Sequence, residues 1–207
     1  MLVVDQLTFG FRNRPLFKNV SFKVEPSKCL QLAGPNGVGK STMMSILAGL
    51  IKASEGTIEF ETDGKPEKDR REFVEYLPAE ANGLYMKMDA LSNLTFWAKL
   101  RGADASDQDL TDALERWDLN HPFLRDGFPV EKFSTGMKRR LALARMSLSN
   151  APCWLLDEPL YGLDAKAVSA ARELIQNHIT KGGMAVVISH DLVPFEGLIS
   201  EVVDLAG

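Results

Sequence analysis

Residues 34 to 41 read Gly34-Pro35-Asn36-Gly37-Val38-Gly39-Lys40-Ser41, and that string leaves the backbone little choice. Its glycines allow a curl that turns successive N–H groups inward on an anion. Lys40 brings a point charge to the β- and γ-phosphate oxygens of a nucleoside triphosphate, and the Ser41 hydroxyl suits Mg²⁺. The flanks agree with such a loop: Cys29–Leu32 is an apolar, strand-like run, and Thr42–Leu47 has the pattern of a helix. A helix starting there adds its positive N-terminal dipole to the phosphate site. The string predicts a strand, a tight glycine turn and a helix in that order, with a nucleoside triphosphate at their junction.

Composition narrows the class. A chain of 207 residues can bury one sizeable core with an inserted subdomain. Its net charge of −4 gives no general attraction for polyanions, so no nucleic acid partner is expected. The start, Met1-Leu2-Val3-Val4-Asp5, lacks the basic-then-apolar order of a signal peptide. No apolar run approaches the roughly 20 residues that cross a bilayer. A cytoplasmic location is expected, with any membrane role supplied through a partner. Cys29 and Cys153 lie in apolar runs without C-x-x-C spacing and are expected as buried thiols.

Along the chain, Leu2–Val4, Val20–Val24 and Cys29–Leu32 predict a β-meander, with turns at Asn13-Arg14-Pro15 and Pro26-Ser27. Short strands follow at Thr57–Phe60 and Val74–Leu77. From about residue 80 to 150 the texture becomes helical: Asp89–Leu100, Asp107–Trp117 and Lys138–Ser149 carry apolar residues at helical spacing. Strand signals return at Cys153–Leu156, Met184–Ile188 and Val202–Leu205, with a helix over Ala165–Thr180. Strand–helix–strand alternation on both sides of the insert predicts an α/β fold with a mainly parallel core sheet. The whole of 1–207 is expected as a single domain. Residues 1–79 and 151–207 would form the core with an antiparallel N-terminal β-subdomain, and 80–150 the inserted α-helical subdomain.

Two further strings belong to phosphate chemistry. Cys153-Trp154-Leu155-Leu156-Asp157-Glu158 is four apolar residues ending in two acids. A strand finishing at the phosphate loop sets Asp157 to hold Mg²⁺, directly or through water. Glu158, one residue further out, is set to polarise an attacking water. Phe133-Ser134-Thr135-Gly136-Met137-Lys138-Arg139-Arg140 opens a helix and admits two roles. It is either a cap at Ser134 or Thr135 with basic residues facing solvent, or a second anion site made by Ser134, the backbone around Gly136 and the helix N-terminus.

Residues 133–145, Phe-Ser-Thr-Gly-Met-Lys-Arg-Arg-Leu-Ala-Leu-Ala-Arg, resemble the signature motif of the ATP-binding cassette (ABC) ATPases, in the Ser-Thr-Gly-Met-Lys form of many exporter-type members. The resemblance runs through essentially all 207 residues in the family's order. It implies the P-loop NTPase fold of an ABC cassette, with ATP and Mg²⁺ as cofactors. Gly34, Pro35, Asn36, Gly37, Val38, Gly39, Lys40, Ser41 and Thr42 would then cradle the phosphates. Phe11 matches the aromatic that stacks on adenine, where the family usually has Tyr and Phe keeps the π-face. The resemblance also implies catalytic roles for Glu158 and Lys40, and for His190 as the switch histidine at the γ-phosphate. Asp164, in Gly162-Leu163-Asp164, matches the loop that crosses the dimer interface. Two cassettes would pack head to tail, each ATP lying between Lys40 of one chain and Ser134, Thr135 and Gly136 of the other. Whether the second cassette is identical or a paralogue stays open. A separate transmembrane subunit would carry the cargo, with this chain peripheral on the cytoplasmic face. His121 and His178 match nothing and are expected at the surface.

One departure is sharp. The family sets a Gln between core and helical insert, facing Mg²⁺ and the transport partner, and this chain has no Gln from 32 to 107. Tyr76-Leu77-Pro78-Ala79-Glu80 aligns with the flanks and puts Ala79 or Glu80 in its place. Glu80 is either an oxygen ligand for Mg²⁺ or a solvated loop residue. Beside it, Leu84, Tyr85, Met86 and Met88 suit core filling or the docking of a membrane subunit. The stretch Asn150–Pro159, with a chain that ends 17 residues after His190, resembles the ATPase subunits of haem exporters in cytochrome c maturation, whose usual signature differs. The alternative is a soluble ABC ATPase of the iron–sulphur assembly type. A phosphate-loop kinase or GTPase would leave 133–145 unexplained.

Overall fold

The computed structural model describes residues 1–11, 14–62, 64–66, 69–80, 83–125 and 127–206, without the side chains of Phe11, Arg71 and Arg125. In chain order the strands and helices are β1 (Leu2–Phe11), β2 (Arg14–Val24), β3 (Cys29–Ala33), α1 (Lys40–Leu47), β4 (Glu55–Thr62), β5 (Lys65–Pro66), α2 (Arg70–Phe73) and β6 (Val74–Leu77). There follow α3 (Ala90–Leu100), α4 (Asp107–Arg116), α5 (Pro122–Arg125), α6 (Thr135–Ser147), β7 (Cys153–Asp157), α7 (Ala165–Thr180), β8 (Met184–Ile188) and β9 (Glu201–Asp204). The chain divides into two compact units, one of Met1–Tyr76, Ala151–Glu158 and Ile175–Gly207, the other of Leu77–Asn150 and Pro159–Leu174.

The first unit holds two sheets, an antiparallel one ordered β2-β1-β4-β5 and a five-stranded one ordered β6-β7-β8-β3-β9. In the second sheet the pairs β7–β8, β8–β3 and β3–β9 are parallel. Every residue of β7 and β8 is buried. Parallel strands are covered on both faces, which explains why the sequence shows them as continuous apolar runs without alternation. Leu2, Val4, Leu7 and Phe22 of the antiparallel sheet share one core with Leu30, Leu32, Leu155 and Val186 and with Met43, Met44, Ile46 and Leu47 of α1.

Two strands outrun their sequence signal. β1 continues to Phe11 beyond the expected Val4, and β2 starts at Arg14, well before Val20. The polar residues that mask this continuity sit in irregularities: Gln6 and Asn19 take φ 49° and 52°, and the register shifts between Val4 and Leu7 and again on to Gly10. Such bulges let a polar pair interrupt a ladder without ending it. Of the expected Asn13-Arg14-Pro15 turn, Asn13 lies outside the described residues, and Pro15 pairs with Gly10 inside the ladder.

In the second unit side chains set the helix starts. Asp89 accepts from the Ser92 N–H, Ser106 and Asp109 close a reciprocal capping box, and Ser134 accepts from the Met137 N–H. The cap at Ser134 starts α6 at Thr135, three residues before the expected Lys138. Among the described residues no helix is long and apolar enough to cross a membrane.

His178 corrects an expectation. It is half-buried: its ring stacks on Trp154 (centroids 3.9 Å apart, planes at 6°) and Nε2 lies 3.1 Å from the Met184 carbonyl. The sequence hides this because the covering surface comes from a strand 24 residues away. His121 is exposed. Cys29 and Cys153 are buried as expected, and burial pushes both thiols up to about 12.

Candidate active site

β3 ends at Ala33, and residues 34–39 turn straight into α1. Gly39 occupies the N-cap position at φ 109° and offers no side chain to the helix. A Cβ there would stand 2.7 Å from Leu16, so a glycine is required for the loop to lie this close to β2. The first N–H groups of α1 are thereby left for an anion, and no acidic residue in the first turn opposes one. Lys40 Nζ donates to the carbonyls of Gly34 (2.7 Å) and Pro35 (3.1 Å), which holds the ammonium over its own loop. Pro35, Asn36, Gly37 and Ser41 are exposed, and Gly34, Val38, Lys40 and Thr42 half-buried.

β7 supplies the acids. Asp157 is its last residue, 2% exposed, paired in register with Ile188. Glu158 then takes φ 48°, a left-handed backbone that costs a non-glycine residue about 1–3 kcal/mol. Its N–H donates to the Ile188 carbonyl (2.9 Å). Glu158 Oε1 lies 3.6 Å from His190 Nε2, and Oε2 accepts from the His190 N–H at 3.4 Å. Oε1 is buried and has no hydrogen-bond partner among the described residues, so this oxygen keeps an unused acceptor beside His190. β7, β8 and β3 are neighbours, so Asp157, Glu158, His190 and the phosphate loop all follow the carboxyl ends of adjacent parallel strands. That is where open α/β sheets bind ligands.

Two residues behind this edge were missed in the sequence. Ser45 Oγ donates to the Ser41 carbonyl (2.9 Å), and the Tyr76 phenol hydrogen-bonds Ser45. Burial pushes that phenol up, and the charge of Asp157 adds to the shift. The available signal was weak: a serine four residues after Ser41, and a tyrosine in a short strand.

The second unit carries the remaining candidates. Ser134 Oγ accepts from the Met137 N–H (3.2 Å), so Ser134 is the helix cap, and its hydroxyl hydrogen remains able to donate outward. Thr135 is exposed. A Cβ on Gly136 would stand 2.7 Å from the Gly162 carbonyl, which brings 134–136 against 162–164. Asp164 accepts from the Ala167 N–H (2.9 Å) and pairs with Arg140. The Ala167 bond first, and the Arg140 guanidinium after it, hold its carboxyl below the usual range. Arg139 does not face solvent as the cap implied. It is 2% exposed and donates to the carbonyls of Pro78 and Ala79. Glu80 is exposed. The side chain of Phe11 lies outside the described residues.

With this geometry in place, comparison with known proteins is specific. The ABC transporter family matches residues 17–161. The chain is 34% identical to the cytochrome c biogenesis ATP-binding export protein CcmA of Vibrio vulnificus over 192 residues, 92% of each protein. Its counterpart in Bartonella henselae is 35% identical over 188 residues, 87% of this chain and 84% of that one. Among solved structures, an ATP-binding subunit of an ABC transporter is 28% identical and superposes with a TM-score of 0.85, covering 99% of this chain and 85% of that one. The cassette MJ0796, solved as a dimer bound to ADP and Pi, shares the fold at 23% identity and a TM-score of 0.83, over 99% of this chain and 94% of its own. The chain therefore belongs to the ABC transporter family, as one of its ATP-binding, ATP-hydrolysing cassettes.

Proposed function

We propose that this chain is the motor subunit of an exporter serving cytochrome c biogenesis, working on the cytoplasmic face of a membrane with a separate transmembrane subunit and a second cassette. The observation that carries the catalytic part is Glu158: a carboxylate on a left-handed turn, with one buried oxygen unpartnered, beside His190. The phosphate loop and Lys40 bind the triphosphate, and Phe11 meets the adenine. Ser41 and the buried Asp157 offer oxygen donors alone, the set a hard divalent cation takes, so these residues fit Mg²⁺. Glu80 is an exposed carboxylate available as a further oxygen ligand. When bound, Mg²⁺ supplies charge neutralisation to the phosphates. Glu158 Oε1 accepts a proton from the attacking water while His190 holds the other carboxylate oxygen through its N–H. Ser134, Thr135 and Gly136 close over the ATP of the opposite cassette, and Asp164 lies at that interface. The names of the relatives support the export process.

Two measurements test this. Glu158→Gln should lower kcat by at least about a hundredfold while leaving MgATP affinity intact and trapping an ATP-bound dimer; retained turnover would remove Glu158 from its role. The tagged chain, purified from detergent-solubilised host membranes, should bring a stoichiometric polytopic membrane protein. Recovery of soluble partners alone would overturn the export motor.

A further inference from the structure

We propose that Arg139 and Arg145 are positioning residues that tie the segment formed by 78–80 and 83–89 to helix α6, so that a push on one is delivered to the other. The consequence for turnover rests on the sandwiched-ATP function proposed above; the tie itself is a property of the single chain.

Both arginines lie on α6 and are almost fully buried, 2% and 4% exposed. Arg139 donates to the carbonyls of Pro78 (2.9 Å) and Ala79 (2.5 Å). Arg145 donates to the Gly83 carbonyl (3.0 Å), and its guanidinium lies 4.5 Å from the centre of the Trp97 ring. Trp97 Nε1 donates to the same carbonyl at 3.0 Å. The far end of the segment is held by Asn93, which is fully buried. Its amide accepts from the Tyr85 N–H (2.8 Å) and donates to the carbonyls of Tyr85 (3.0 Å) and Asp89 (2.9 Å).

Charge-assisted bonds in a buried site are short and directional. Apolar side chains of similar volume often replace buried ionic groups without loss of stability, so what the two guanidiniums add is direction, each donor meeting a particular carbonyl. What they fix is backbone. The carbonyls of 78, 79 and 83 are anchored on a helix whose first turn carries Ser134–Gly136. Tyr85, 40% exposed, stands on that anchored backbone where a partner can press on it. Force on Tyr85 is passed through the Gly83 and Ala79 carbonyls to α6 and so to Ser134.

Amide hydrogen exchange tests the tie. It is measured on the full chain carrying Glu158→Gln, with and without MgATP, and on the same chain with Arg145→Met added. In the first chain MgATP should slow exchange over 134–138 and change it over 83–89. In the second the slowing over 134–138 should persist and the change over 83–89 should be lost. No change over 83–89 in the first chain, or an equal change in both, overturns the proposal. Should MgATP slow 134–138 in neither chain, the ATP sandwich fails, and the ligand-free exchange decides the tie. Arg145→Met must then speed exchange over 134–138 as well as over 83–89, and an effect confined to 83–89 overturns it. Arg145→Lys keeps one donor for the Gly83 carbonyl and should restore the response. If Arg145→Met does not fold, Arg139→Met serves instead, because it removes the donors to the Pro78 and Ala79 carbonyls and leaves Arg145 in place. An undiminished response over 78–80 and 83–89 in Arg139→Met would overturn the tie.

Discussion

Asp157 and Glu158 differ by one residue and by one torsion. Along a strand, successive side chains point to opposite faces, so a straight continuation of β7 would send Glu158 away from the face that Asp157 occupies. The φ of 48° breaks that alternation and brings Glu158 within reach of His190. The two acids were legible as a pair; the torsion was not, because it follows from the Glu158 N–H bonding to Ile188 on the neighbouring strand. His178 makes the same point where it packs on Trp154. Glycine at 183 leaves room for its imidazole, which a Cβ there would meet at 2.4 Å. Burial lowers the affinity of that imidazole for a proton below its ordinary value of 6.5. The unfolded chain therefore binds the proton first as pH falls. The stability associated with neutral His178 is full above about pH 6.5 and is lost as pH drops through the folded value. Replacing His178 with Phe keeps a stacked ring and removes the titration. Its thermal midpoint should fall less than that of the parent between about pH 7 and 5; parallel midpoints would remove His178 as the source.

The start of α4 was readable at Asp107, where a capping box acts within three residues of itself. Ser106 and Asp109 form such a box at α4, on an exposed surface. Ser106→Ala should cost about 1 kcal/mol by urea denaturation, and a loss below measurement would assign the start of α4 to packing of Leu110 and Leu114 instead. Strand lengths were less readable, since Gln6 and Asn19 look like breaks until the partner strand shows them as bulges. In α6 the run Lys138-Arg139-Arg140 looked like a solvated face. Arg139 is buried because its target is a pair of carbonyls 61 and 60 residues away in sequence, at Pro78 and Ala79. Local periodicity carries no record of a distant acceptor.

At the scale of the whole molecule, the two anion sites proposed for one chain belong to two different compact units, Lys40 to the first and Ser134 to the second. The sandwich proposed above, with a second copy as the partner, makes each ATP site composite. A Lys40→Ala chain and a Ser134→Arg chain should each be inactive alone, and mixing them should recover ATP hydrolysis, since a mixed pair keeps one intact composite site. Absence of recovery would overturn a homodimeric sandwich. The sequence by itself determined the strand, glycine turn and helix around 29–47, the acidic strand end at Asp157, the order of the main strands and helices, and the family, because these reside in short strings whose backbone and charge requirements are local. The tertiary structure alone decided where Glu158 points, that His178 lies against Trp154, and that Arg139 and Arg145 hold backbone in place of facing water. Each of those outcomes depends on a carbonyl or ring contributed by a different strand, helix or loop, and burial leaves a polar group no choice but to find that partner.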